Sequence, residues 1–484
     1  MTPLSRRAAL AATAAAAALP PSLLAPGPAG AQATAAAPAV ADPSPPPGER
    51  PLFGATLWTL PNGLRVVHAE NRRAPVVAHH LHYAVGAGDD PPGRSGVAHF
   101  LEHMMFKGSP RVASGEFSRR VAREGGGDNA WTSRDVTAYH QTVEAGRLPL
   151  VALMEADRLR AAAIPAAEVE PERGVVLEER RLRTEANPRG RFREAYDAAM
   201  WGREHWRGRP IIGWPGDIAA TTRDDLAAFH AAWYAPGNAV LVVHGAASAD
   251  ALRRVVEDEY GGVEARAPAA DARAPLRGRA PVPADAAPLE SRLVRQDAQV
   301  REASLLRSWV APSLTWGESR HAHALDVLAH LLGGGPGSRL HRALVEGGLA
   351  VSAGAYYGSD DLGPSAFALF GTPRRDATPA RLEAAAEAEV ARLLDGGGGA
   401  ATEAEVERSK RQITAGALLA LDGIGAAARM FGPALAIGLP MESVEFWPAS
   451  IRAVTAEEVN AAARAVLARP SMTGWLLPEG VSAS

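Results

Sequence analysis

"GVAHFLEHMMFKGS", residues 96–109, places His99, Glu102 and His103 within less than two helical turns, in a chain with only 14 histidines. Val97, Phe100, Leu101, Met104 and Met105 recur at helical spacing and give the segment an apolar face. That pattern predicts a helix, with Ser95 as N-cap and Gly108 as C-terminal stop. On it, His99 and His103 stand at i and i+4, so both imidazoles project from one side. Two neutral imidazoles so placed are a good bite for zinc. Glu102 faces nearly the same way and sits beside the metal rather than on it. There a carboxylate takes a proton from a water whose pKa the metal has lowered.

Two side chains leave tetrahedral zinc short of protein ligands, and a catalytic site adds a third while keeping one position for water. The best stretch to supply it is "EVEPERGVVLEERRLRTE", residues 168–185. Pro171 suits the first turn of a helix. Glu172 and Glu179 lie two turns apart and share a face, with Val175 and Val176 near it. The residues alone leave both glutamates open as candidates.

Working outward, the chain of 484 residues is too long for one core, so two or more domains are expected. Hydrophobic residues at 47% and charged residues at 22% are ordinary for a globular protein, and a net charge of -3 gives no reason to expect nucleic acid or an anionic membrane as partner. With no cysteine, disulfides, thiolate ligands and a cysteine nucleophile are excluded, and any metal must be held by His, Asp and Glu.

Residues 1–31 read as an export signal: Arg6 and Arg7, an Ala-rich apolar stretch, then Ala29-Gly30-Ala31 as a cleavage site. The paired arginines are twin-arginine-like, and a periplasmic location follows. Pro20 and Pro21 break the apolar run too early for a membrane span. Residues 32–50 form an Ala/Pro-rich disordered leader. The Pro-, Ala- and Arg-rich run 264–289 reads as a linker between domains at 51–263 and 290–484. Both mix strand and helix patterns. "SRHAHALDVLAHLLGG" falls in the second where the histidine motif falls in the first, as in a diverged duplication, but without His-x-x-Glu-His.

His99-Phe-Leu-Glu102-His103 resembles the inverted zinc motif of the M16 metallopeptidases, the group of pitrilysin, insulin-degrading enzyme and mitochondrial processing peptidase. The likeness extends over "GGGDNAWTSRDVTAYH" (125–140), "ERGVVLEERR" (172–181), the run 208–246 and "LLGGGPGSRLHRAL" (331–344), hence most of 55–480. The resemblance implies a bacterial two-domain form with an α+β fold: tandem duplicated two-layer domains, each a mainly antiparallel sheet with helices over one face. It implies one Zn2+ per chain. The third ligand is Glu179, which lies 76 residues beyond His103, where the family has its distal glutamate. Glu172 matches a further family glutamate that supports the site by orienting a ligand or assisting Glu102. Asn129 and Ala130 match the edge strand that pairs with an extended peptide, although composition alone makes Asn129 a turn residue after the glycines 125–127.

One departure stands out. Active relatives of this form place an arginine and a tyrosine in the second domain to hold substrate and stabilise the developing oxyanion. The matching positions here hold Leu344 and Val351. The expectation is therefore an exported zinc endopeptidase subunit acting on peptides in an enclosed chamber. A second M16-like subunit would complete it as a heterodimer by supplying the pair. The alternatives are a homodimer of weak or altered activity, or a non-catalytic binding or assembly protein of the same fold.

Overall fold

The structure, a computed structural model, describes residues 48–266 and 275–483. The expected export signal, most of the leader and residues 267–274 of the expected linker lie outside the described residues.

The Pro-Asn-Gly turn at 61–63 joins β1 (Thr56–Thr59) to β2 (Arg65–Glu70) as an antiparallel hairpin. β3 (Val76–Tyr83), β4 (Gly127–Thr132), β5 (Thr137–Glu144) and β6 (Ala239–Gly245) complete a six-stranded sheet in the order β1-β2-β6-β3-β5-β4. Only β2 and β6 pair in parallel. The second sheet holds β7 (Arg292–Asp297), β8 (Ser304–Ala311), β9 (Ala350–Tyr356), β10 (Ser365–Pro373) and β11 (Ser471–Pro478), in the order β7-β11-β8-β10-β9. It repeats the first sheet without β1, down to the single parallel pair, here β7 with β11. The duplication read from sequence is thus a duplication of topology.

Strand side chains alternate between faces, and both faces of each sheet are buried. On the first sheet, Val66, Leu241 and Val243 point toward α1 (Val97–Met104), α2 (Leu148–Ala161) and the helix Ala249–Tyr260. α3 (Ala166–Arg180), α4 (Pro188–Trp201) and α5 (Ala249–Tyr260) follow in the first half. On the second sheet, Leu305, Trp309 and Trp475 pack against α6 (Ala322–Gly333), α7 (Pro379–Leu394) and a later helix, α9 (Ala456–Leu467). α8 (Ala426–Ala436) lies between α7 and α9 in sequence.

Within each half the helices lie over one face of its own sheet, as the resemblance implies, and the other face is covered from the opposite half. α4, from the first half, lays Phe192, Tyr196, Met200 and Trp201 on Leu306, Val310, Ala368 and Met472 of the second sheet. α8, from the second half, lays Ala427, Ala428, Phe431 and Leu435 on Val67, Val240 and Val242 of the first. Each half thus covers the other's sheet. Burying a large apolar side chain fully is worth about 1.5–3 kcal/mol, so these two covers bind the halves strongly.

The segment read as a linker is also more than a tether. Arg277 and Arg279 are buried. Arg279 pairs with Asp89 and Asp135, while Arg277 donates to the carbonyls of Asp135 (2.7 Å) and Ala436 (2.7 Å). Composition reads such a run as loose because it cannot show that two carboxylates in the first half await the guanidiniums.

Under α8 the histidines of β3 separate by face as the strand period requires. His79 turns to the helical side and meets Gln141 (2.8 Å) and the Tyr260 hydroxyl (2.9 Å). His80 and His82 turn to α8, and His80 also stacks on His140, with ring centroids 4.9 Å apart. Gly432 of α8 lies directly on the His82 ring, and a Cβ there would come within 2.2 Å of it. No helix among the described residues is long and apolar enough to cross a membrane.

Candidate metal centre

α1 forms where the apolar periodicity predicts it, but its start differs. The N-cap is Gly96, at φ 88, and not Ser95. A side chain at Gly96 would meet the Ile212 carbonyl at 2.4 Å. With no side chain at the cap, the free N–H groups of the first turn are taken by Asp90, which accepts from Gly96 (2.6 Å) and Ala98 (2.9 Å). Burial pushes the Asp90 carboxyl up to about 7, against the pull of Arg209 and these two bonds. Ser95 instead donates to Asp217 (2.5 Å) and accepts from the Trp214 amide (2.9 Å), which fixes the loop before α1 to the segment around 214.

α3 begins at Ala166, so Pro171 lies inside the helix and not in its first turn. Glu172 and Glu179 do face α1, with Val176 buried beside them, but Val175 points to solvent. α3 runs on into a π-turn, Arg181–Glu185, a form frequent at functional sites. It brings Arg183 to 2.6 Å from Glu179 Oε1. The other oxygen, Oε2, lies 3.3 Å from His103 Nε2 and 3.6 Å from His99 Nε2, and is buried without a hydrogen bond.

Ligand atoms 2.0–2.1 Å from a tetrahedral zinc stand roughly 3.3 Å apart. His99, His103 and Glu179 can each offer one atom within 4.8 Å of the others, and they form the only such group found among the described residues. An orphaned carboxylate oxygen aimed between two imidazole nitrogens is what a metal ion would satisfy, so the residues fit the group. Without an ion the charges sort unevenly. Burial and the neighbouring His103 hold His99 down to about 3. Burial also opposes charge on His103, yet its contacts with Glu172 and Glu179 raise it to about 9. Glu179 is held at about 2 despite burial, through His103, His99 and Arg183.

Glu172 accepts from His103 Nδ1 at 2.8 Å, so it orients the ring from behind and takes no place among the three converging atoms. Lys107 forms ion pairs with both Glu172 and Glu168. Glu102 is buried on the same side of α1. Burial raises its carboxyl, and the hydroxyl of Thr132 opposes this through a 2.5 Å hydrogen bond to Oε2. Glu102, His103, Phe106, Lys107, Asn129 and Glu172 help line a cavity of about 330 Å³.

Asn129 and Ala130 lie on β4, the outermost strand of the first sheet, paired on one side only with His140 and Tyr139 of β5. A strand at that place, and not a turn, is the outcome for Asn129. Asp90, Lys107, Thr132 and Arg183 were not singled out from sequence. Lys107 alone had a local signal, four residues after His103 on the same segment. In the second half, Leu344 is buried in the core and Val351 is exposed on β9, and neither offers a hydrogen-bond donor from its side chain.

Two family profiles match the chain: residues 65–212 match "Insulinase (Peptidase family M16)" and residues 220–413 match "Peptidase M16 inactive domain". An uncharacterized zinc protease of Mycobacterium tuberculosis is 33% identical over 430 residues, covering 87% of this chain and 93% of that relative. Zinc protease PqqE of Helicobacter pylori is 32% identical over 294 residues, 60% of this chain and 63% of that protein. Among solved structures, a protease from Helicobacter pylori superposes with a TM-score of 0.78 at 24% identity, covering 89% of this chain and 100% of that one. The first half of the periplasmic protease PqqL from Escherichia coli gives 0.69 at 19% identity, over 87% and 92%. At these identities the structural matches speak for the fold, and it is the sequence matches over both halves that establish that the chain belongs to the metallopeptidase family M16.

Proposed function

We propose that the chain is the zinc-binding subunit of an exported endopeptidase that cleaves peptides or small unfolded polypeptides. One observation carries the reading: two imidazole nitrogens and an orphaned carboxylate oxygen converge beside a buried glutamate, at the rim of a cavity that reaches an open sheet edge.

His99, His103 and Glu179 would hold one zinc ion, with Glu172 keeping the His103 ring in place. Zinc bound there would supply Lewis acidity toward a carbonyl and toward a water, whose proton it would loosen near neutral pH. Glu102 takes that proton as general base and passes it to the leaving amine. The free edge of β4 at Asn129 and Ala130 pairs with the extended substrate through backbone hydrogen bonds, which tolerate many sequences. The buried surroundings of Glu102 and His99 lower the local dielectric and strengthen these electrostatic effects.

Leu344 and Val351 leave the second half without an evident oxyanion donor at those positions. Losing one such donor commonly costs about 10²–10³ in rate. A second M16-like subunit carrying the arginine and tyrosine supplies them across an enclosed chamber. The relatives' names as zinc proteases support the metal and the reaction, and the twin-arginine-like start of residues 1–31 supports the periplasm.

The test is hydrolysis of a mixed peptide library by the purified chain, alone and mixed with the candidate partner, before and after chelation. Chelator-sensitive cleavage that Glu102→Gln abolishes while metal is retained is the expected result. Cleavage that survives chelation sinks the zinc reading. Equal rates with and without the partner sink the heterodimer.

A further inference from the structure

Thr132 is the last residue of β4, and its hydroxyl reaches across to Glu102 Oε2 at 2.5 Å. The bond joins α1, which carries the metal histidines, to the strand at the open edge of the sheet. Thr132 has little freedom to do anything else. It stands opposite Thr137 in register, with the two hydroxyl oxygens 3.5 Å apart, and Thr137 is itself fixed by donating to the Val85 carbonyl at 3.0 Å. A β-branched side chain on a paired strand is also stiff about χ1. The hydroxyl is therefore a donor aimed at one oxygen of a long, otherwise rotatable carboxylate side chain.

We infer that Thr132 is a positioning residue for the base of the proposed reaction: by holding Glu102 Oε2, it reserves the other carboxylate oxygen for the water in the cavity. The inference rests on the peptidase reading and deepens it. Thr132 keeps its own proton throughout. The water's proton goes to the free oxygen of Glu102, and the Thr132 hydrogen bond to Oε2 stays in place. Because Thr132 belongs to β4, the strand that receives the peptide also aligns the group that acts on it. Substrate pairing at Asn129 and Ala130 and orientation of Glu102 are thus set by one six-residue strand.

The test compares Thr132→Val, which keeps the shape and loses the donor, with Thr132→Ser, which keeps the donor. Zinc-loaded protein with its partner is used, and kcat, KM, metal content and melting temperature are measured. Valine is expected to lower kcat on the order of tenfold with KM and metal content unchanged, and serine to restore most of it. In a Glu102→Gln background, Thr132→Val should make no further difference. If valine unfolds the hairpin, Thr132→Ala is read in its place by the same criteria. Equal losses in valine and serine, a loss confined to KM, or a further loss on top of Glu102→Gln overturn the inference and leave the peptidase reading intact. A parent protein with no Glu102-dependent hydrolysis overturns the peptidase reading, and the inference with it.

Discussion

The two halves share a strand order, a single parallel pair and a helix in the same place, yet among the described residues only the first holds a His/Glu group that could bind a metal. α1 carries His99, Glu102 and His103 toward α3. α6, its counterpart, buries Ala324, Leu325, Val327, Leu328, Leu331 and Leu332 and spends nearly all its surface on packing. The edge strands differ likewise. β4 ends on Thr132 beside Glu102, whereas β9 presents Val351 to solvent. The fold supplies a helix beside an open sheet edge in both copies. What separates them is a handful of side chains, which illustrates that function lives in sites grafted onto folds.

The sharpest way to break this contrast is at the metal. His103→Ala should take metal content after dialysis from about one ion per chain to near zero, while His330→Ala on α6 should leave it unchanged. Glu172→Ala, which removes the acceptor behind His103 together with the Lys107 ion pair, should cost about 10–100-fold in affinity. If His330→Ala also loses metal, the second half is not the passive copy described above.

A smaller effect concerns what holds the copies together. Arg279→Ala leaves Asp89 and Asp135 with much of their countercharge gone in a buried setting. Breaking a buried ion pair from one side costs roughly 3–5 kcal/mol. Denaturant unfolding should show that loss as one shifted transition for both halves. Two separate transitions would show that the halves stand alone.

The gentlest prediction is a pH dependence. Burial holds His82 at about 3, with only minor help from His140, and it also lowers His80 and His140. The facing charges are Arg429 on α8 and Asp128 on β4. Between about pH 6.5 and 3 the unfolded chain takes up a proton at His82 that the folded chain refuses. Stability should therefore be complete above pH 6.5 and fall on acidification, by at most about 1.4 kcal/mol per pH unit for this group. His82→Leu should flatten that slope in melting curves taken from pH 7 to 4. An unchanged slope would assign the acid sensitivity to other groups.

Much of the site was legible because its signals are local. The i, i+4 histidines, the helical apolar face and the two-turn spacing of Glu172 and Glu179 are properties of single helices, and the choice of Glu179 needed the family likeness. The residues that complete the site are not local. Asp90 caps α1 from outside the helix, Thr132 reaches Glu102 from a strand 30 residues away, and Arg183 depends on a π-turn that the sequence does not announce. Ser95 looked like a cap because its residue type favours one, but a close approach by the segment around Ile212 requires glycine next to it. The exchange of α4 and α8 was invisible for a related reason. An apolar helical face records that it is buried, and does not record which sheet buries it.

That exchange sets a timetable. The first sheet is complete once β6 has been made at Gly245, but its cover, α8, begins only at Ala426. At synthesis rates of 5–20 residues per second, the intervening stretch of about 180 residues takes roughly 10–40 seconds. For that interval Val67, Val240, Val242, His80 and His82 face outward with no helix from their own half to cover them. A nascent chain in this state exposes an apolar sheet face before it can close it. The second half of the sequence therefore does for the first what a holding chaperone would otherwise have to do, and a chain truncated before α8 should be bound by chaperones or aggregate rather than persist as a half-molecule.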